Sequence, residues 1–308
     1  MKLGMIGLGR MGGNMSERLR GAGHEVIGYD RDPKVTQAAD LADLVRQLGD
    51  APRIAWVMVP SGTPTDDTIT ELASLLSAGD VVVDGGNSNW RDSQRHGEEL
   101  TARGIGFIDA GVSGGIWGLQ EGYCLMVGGA PEHVALLQPV FDALAPTDGF
   151  AHVGPVGSGH FTKMVHNGIE YGLMQAYAEG YELLQAVDIE VDANAALKAW
   201  QHGSVVRSWL LDLLNLALEA DPGLTDFKGY ASDSGEGRWT VNEGVRLAVP
   251  MPVISAALFA RFASRQDVSP AMKVISALRS QFGGHAEQAM DRRPAESVQG
   301  DEGKVVPG

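Results

Sequence analysis

The chain has 308 residues, 44% of them hydrophobic and 41 of them glycine, so it can bury more than one core, and two domains are the default expectation at this length. Lysine and arginine total 24 against 39 aspartates and glutamates, and a net charge of −15 argues against a nucleic-acid surface, which needs a basic stripe. Cys124 is the only cysteine, which rules out an intrachain disulfide and fits a reducing compartment.

No run approaches the roughly 18 apolar residues of a membrane span. The opening MKLGMIGLGR is too glycine-rich for a signal peptide. A soluble cytoplasmic protein without nucleic-acid or membrane partners is expected.

The first predicted element is a strand at residues 3–6, joined to a helix at 11–20 by Gly7-Leu8-Gly9-Arg10-Met11-Gly12. Glycines there permit a tight turn and close backbone approach to a pyrophosphate, which the unpaired N–H groups of the helix N-terminus would receive. Without a ligand the same glycines would make a plain strand–helix joint. A second strand at 24–29 ends at Asp30, where a carboxylate bonds ribose hydroxyls and repels a 2′-phosphate. NAD is therefore the preferred cofactor, with NADP possible because the neighbouring Arg31 could answer a phosphate.

Asp32-Pro33 reads as a helix start, N-cap then proline, with the helix running to 48. Strands at 54–59, 81–84, 107–110 and 125–127 then alternate with helices at 66–76, 92–102 and 131–144. The fold class this implies is α/β, a doubly wound parallel sheet covered on both faces.

Two loops at strand C-termini, Asp84-Gly85-Gly86-Asn87-Ser88 and Asp109-Ala110-Gly111-Val112-Ser113-Gly114-Gly115, set small polar side chains beside glycines on the ligand-binding rim of such a sheet. After Val153 the pattern changes to helices at 161–186, 194–202, 208–219, 253–265 and 270–282, with no strand among them. The expected domains are 1–155, a dinucleotide-binding unit; 156–285, an all-α substrate and oligomerisation unit; and a polar tail at 286–308.

Within the helix at 159–181, Lys163, His166, Asn167 and Glu170 fall on one stripe, while Met164, Val165, Ile169, Tyr171, Leu173 and Met174 crowd the other faces. A helix apolar nearly all round is normally buried, which makes an amine and a carboxyl on it candidates for acid/base work; a solvated polar face is the alternative. The eight histidines show no HExxH or other ligand spacing, so no metal is expected.

Gly7 to Asn14, Asp84 to Ser88, Val112 to Gly115 and above all Lys163-Met164-Val165-His166-Asn167-Gly168-Ile169-Glu170-Tyr171 resemble the decarboxylating 6-phosphogluconate dehydrogenases. The likeness continues through Trp239-Thr240 and Phe259-Ala260-Arg261 to the stretch from Arg279 to His285, and the chain is similar to the short form of that family. It implies a Rossmann domain followed by a helical one, and conversion of 6-phosphogluconate to ribulose 5-phosphate and CO2, as in the pentose phosphate pathway or gluconate utilization.

In that likeness Lys163 is the base at the 3-hydroxyl and Glu170 the acid at C1. Asn87, Ser113, Gly114, Gly115, His166 and Asn167 would position the sugar acid. Tyr171, Arg261, Arg279 and His285 would surround the phosphate, the last two reaching from a neighbouring subunit of a dimer or tetramer. For Arg279 and His285 an ordinary helix C-terminus before Gly283 is the alternative.

One departure is chemical: the longer relatives carry lysine and threonine where this chain has Ser234 and Glu236, and an inward Glu236 would repel a phosphate. Lys163 must be neutral to act as base, which burial and the positive N-terminal end of its helix would favour; Glu170 would need burial to hold its proton. Two other functions fit the fold: a non-decarboxylating 3-hydroxyacid dehydrogenase or semialdehyde reductase, and a catalytically silent NAD-binding sensor.

Overall fold

The computed structural model describes residues 1–283, so His285 and the tail at 286–308 lie outside the described residues. A seven-stranded sheet runs in the order β2-β1-β3-β4-β5-β6-β7. Its strands are β1 (Lys2–Ile6), β2 (Glu25–Tyr29), β3 (Ile54–Val57), β4 (Val81–Asp84), β5 (Gly106–Ser113), β6 (Cys124–Gly129) and β7 (Phe150–Gly154). The helices around them are α1 (Arg10–Gly21), α2 (Leu41–Leu48), α3 (Thr63–Leu75), α4 (Trp90–Thr101), the short α5 (Gly118–Glu121) and α6 (Pro131–Leu144).

β3 and β4 are buried along their whole length, because helices cover both faces and no side of a strand meets water. One core gathers Leu3, Trp56, Tyr123 and Phe141; the other gathers Leu44, Val57, Ile69 and Leu72.

Three expectations need correction. The sheet is not wholly parallel, since β6 pairs antiparallel with β5. β7 closes that edge at residues expected to carry no strand; its middle residues are all exposed, so it has no apolar alternation to read. No helix follows Asp32-Pro33. The segment instead folds back on edge strand β2, where Gly28 N donates to Gln37 Oε1 (2.8 Å) and Gly28 O accepts from Gln37 N (2.9 Å). The bare side of that strand outcompetes the helix. α2 starts later, where Asp40 caps Asp43 N at 2.7 Å.

The helical half comprises α7 (Ser158–Ala186), α8 (Ala193–Trp200), α9 (Trp209–Ala220), α10 (Glu236–Arg246), α11 (Pro252–Ala263) and α12 (Pro270–Gly283). α7 is fastened to the sheet at its first turn. The buried Asp109 carboxylate of β5 accepts from Gly157 N and His160 N, both at 2.7 Å, capping α7 from another element. Burial pushes this carboxyl above its usual range, opposed by His160 and by those N–H groups. At Gly159 a Cβ would sit 2.3 Å from Asp109 O, so only glycine lets the helix approach this closely.

α10 was not expected, because the face it buries is Glu236, Gly237, Thr240, Glu243 and Gly244 rather than an apolar stripe. Gly168 of α7 receives Thr240, whose hydroxyl is shared between the carbonyls of Met164 and Glu236 at 2.8 Å each. α7 is not buried all round as its composition suggested: Ile169, Leu173, Met174 and Leu183 are exposed. No helix of the described residues is long and apolar enough to cross a membrane.

Replacing Asp109 by alanine removes two charge-assisted bonds to a helix start, and a loss of about 2–4 kcal/mol in denaturant unfolding is expected. A variant within about 0.5 kcal/mol of the unmodified chain contradicts the capping role.

Candidate active site

A cleft of about 1470 Å³ runs from the glycine loop across the rim of the sheet to α7. At one end Gly7, Gly9, Arg10, Met11, Gly12, Asp30 and Arg31 line it. A Cβ at Gly7 would meet Met58 O at 2.5 Å, and one at Gly12 would meet Gly7 O at 2.0 Å, so these two glycines serve the turn itself. At Gly9 a Cβ would meet nothing within 4 Å. This open position stands at the N-cap of α1, which has no side-chain cap and no acid in its first turn. Free N–H groups, no competing carboxylate and open space together fit a pyrophosphate.

Leu8 contributes its backbone rather than its side chain, which packs over Gly28. Leu8 N donates to Asp30 Oδ2 at 2.6 Å, and Asp32 N donates to Asp30 Oδ1 at 2.8 Å. Asp30 thus braces the turn with both oxygens, while each keeps a lone pair for a ribose hydroxyl.

The rim supplies Gly85, Gly86, Asn87, Ser113, Gly114 and Gly115. Asp84 is fully buried beneath it and accepts from Gly86 N at 3.0 Å, which folds the loop so that Asn87 is exposed at the cleft. Gly111 carries a different constraint: a Cβ there would lie 2.6 Å from Cβ of Lys163. β5 therefore offers a bare backbone as the seat of that lysine.

Lys163, His166, Asn167 and Glu170 all line the same cleft. Burial pushes the Lys163 amine below its usual range, while Glu170, then Glu236 and Cys124, push it back up. The positive end of α7 contributes less than expected, because the Asp109 carboxylate already sits on it. His166 links the rim to the carboxyl: its Nε2 is 3.5 Å from Ser113 Oγ, and its Nδ1 is 3.0 Å from Asn167 Oδ1 and 3.9 Å from Glu170 Oε2. The Glu170 side chain is 39% exposed, short of the burial expected of it.

Of the residues expected around a phosphate, those that are described, Tyr171, Arg261 and Arg279, do not line this cleft. Tyr171 is buried, with Arg261 stacked 3.5 Å over its ring, and neither lines the cleft. Arg261 also donates to Ser232 O at 3.0 Å. Arg279 is exposed on α12.

Other contributors escaped the sequence reading. Arg18 of α1 donates to Ala143 O, Leu144 O and Leu119 O at 3.0–3.1 Å, and Asn14 to Ile116 O at 3.4 Å, which moors the segment after Ser113 to the glycine-loop helix. Trp209, Leu210 and Leu213 of α9 line the far side of the cleft. Backbone acceptors so distant in sequence leave no signal around Arg18. Among the described residues no group of three or more His, Cys, Asp or Glu could hold a metal ion.

Two family models match the chain, the NAD binding domain of 6-phosphogluconate dehydrogenase over residues 2–154 and the 6-phosphogluconate dehydrogenase C-terminal domain over residues 159–292. The chain belongs to the 6-phosphogluconate dehydrogenase family.

A putative 6-phosphogluconate dehydrogenase of Bacillus subtilis is 41% identical over 94% of this chain and 99% of its own length. An NAD(+)-dependent, decarboxylating 6-phosphogluconate dehydrogenase of Haloferax volcanii is 44% identical over 92% of this chain and 98% of its own. The 6-phosphogluconate dehydrogenase of Plasmodium falciparum superposes with a TM-score of 0.79 at 25% identity, covering 95% of this chain and 67% of that one. The protein is an oxidoreductase of this type, with the family's Rossmann-like sheet domain and helical C-terminal domain.

Gly111→Ala is expected to unseat Lys163, lowering turnover at least about tenfold with dinucleotide affinity retained. Unchanged turnover contradicts the packing.

Proposed function

We infer that the protein oxidises 6-phosphogluconate at C3 with transfer of a hydride to NAD, and releases C1 as CO2 to give ribulose 5-phosphate. The observation that carries this reading is the convergence of Lys163 and Glu170 on the cleft that also holds the glycine loop. The glycine loop, Asp30 and the rim would hold a nicotinamide dinucleotide, which would supply the hydride acceptor. Asp30 favours NAD, since its fixed carboxylate would repel a 2′-phosphate; the name of the Haloferax relative is in keeping with this.

Lys163, neutral at the start, removes the proton of the 3-hydroxyl as the C3–H electrons leave. Its ammonium then donates to the new carbonyl oxygen, and this drains electrons from the C1–C2 bond as CO2 departs. Ser113, Asn87 and Asn167 hold the sugar acid in place. Glu170, beside His166, delivers a proton to the carbon that CO2 has left.

The phosphate end is assigned to Arg279 and His285, reaching from a second subunit that completes the site. Exposed Leu183, Phe259 and Met272 of the helical half support self-association, as dimer or tetramer. We set the domain boundary at residue 155, with a helical domain to 285 and a tail beyond, and the location in the cytoplasm.

Lys163→Met is expected to lower turnover of 6-phosphogluconate by several orders of magnitude while NAD still binds, and near-normal turnover would falsify the mechanism. In the unmodified protein kcat/KM rises with pH as Lys163 loses its proton, and burial sets that limb below the ordinary lysine value near 10.4. Asp30→Asn is expected to shift the ratio of kcat/KM values toward NADP. An unmodified protein that strongly prefers NADP contradicts the role of Asp30.

A further inference from the structure

α10 buries two glutamates in different ways. Glu243 is answered by Arg91 at 2.9 Å and Arg246 at 2.6 Å. Glu236 is 2% exposed and in no ion pair among the described residues; its Oε2 accepts from the hydroxyl of Ser234 at 2.6 Å, a neutral donor. A carboxylate taken out of water without a cation is costly, so an uncompensated one inside a fold calls for a positive partner nearby.

The packing of α10 on α7 identifies that partner. The Thr240 hydroxyl lies 2.8 Å from both Glu236 O and Met164 O, and Met164 is the residue after Lys163. Gly168 keeps the two helices close, with Thr240 Cγ2 2.6 Å from where its Cβ would be. The first turn of α10 is thereby held against the stretch of α7 that carries Lys163. Glu236 does not line the cleft, so it addresses the lysine without touching what the cleft binds.

We propose that Glu236 is a positioning residue for the reaction, a buried counter-charge that stabilises the Lys163 ammonium formed when the amine accepts the substrate's hydroxyl proton. The proposal rests on Lys163 being the base.

Other groups bear on the same amine. Glu170 and His166 face the cleft from α7, Cys124 comes from β6, and Asp109 of β5 sits at the helix start. Of the cations on packed elements, Arg91 of α4 is held by Glu243 and Arg261 of α11 by the Tyr171 ring. Burial lowers the basicity of Lys163, and Glu236 acts against it together with Glu170. Glu170 must give up its own proton in each turnover, whereas Glu236 lies outside the cleft and takes no part in the proton transfer.

The test uses Glu236→Gln, which preserves shape and still accepts from Ser234. The pH at which Lys163 loses its proton is read in two ways: the acid limb of kcat/KM for 6-phosphogluconate, and the pH dependence of Lys163 labelling by trinitrobenzenesulfonate, located by peptide mass spectrometry. Loss of the counter-charge is expected to move both profiles to lower pH by at least about half a unit, equivalent to roughly threefold faster labelling at a fixed pH on the limb.

A merely structural role would alter stability or KM and leave both profiles in place; a folded Glu236→Gln protein with unmoved profiles overturns the proposal. Should that variant not fold, Glu236→Met carries the test, since it removes the same charge with an apolar side chain of similar length; the labelling profile is expected to move in the same direction, and an unmoved profile overturns the proposal there too. Labelling needs no turnover, so an inactive unmodified protein would defeat the functional reading while labelling still reported on Glu236.

Discussion

The active-site geometry depends on one buried contact, the Asp109 carboxylate seated on the N–H groups of Gly157 and His160. It ties the last long strand of the sheet to the first turn of α7, and two glycines make the seam close enough to matter. Gly159 lets the helix backbone touch β5, and Gly111 lets the Lys163 side chain lie on that strand one turn later. A lysine on a separately tethered helix would wander relative to the glycine loop. Here both hang from one rigid sheet, which is how a scaffold holds reacting groups in register.

The same contact has an electrostatic consequence. A helix N-terminus near an amine favours its neutral form, but a carboxylate already caps this one. What remains to lower the basicity of Lys163 is burial, set against Glu170 on the cleft side and Glu236 on the interior side. The amine is thus poised by two opposed effects instead of being driven hard one way, which suits the role proposed for it, accepting a proton in one step and donating a hydrogen bond in the next.

Much of the fold was legible because the signals were local. The runs Val81–Asp84 and Ile54–Val57 are buried on both faces and so read as uninterrupted apolar strands, and the glycine loop stands between a strand and a helix where its pattern carries meaning. The stripe on α7 could be placed from i, i+3, i+4 spacing alone.

What escaped the sequence depends on partners far along the chain. Strand direction leaves no trace in alternation, so the antiparallel β6 was invisible. The segment after Asp32 has a sound helix start but meets the bare edge of β2. α10 buries small and acidic residues, which read as surface until Thr240 is seen against Gly168. Glu236 itself was read as a hazard to a phosphate, and in the fold it is buried outside the cleft with its carboxyl bonded to Ser234. Tyr171 and Arg261, grouped with the substrate by resemblance, pack on each other away from the cleft. The chain covers 67% of the Plasmodium falciparum enzyme it superposes on.

The central claim is that one cleft performs oxidation and decarboxylation in sequence on a sugar acid. Its most direct test is to supply 6-phosphogluconate labelled at C1 with NAD and count trapped labelled CO2 against NADH formed. The account predicts one CO2 for each NADH; NADH accumulating without release of label would contradict it.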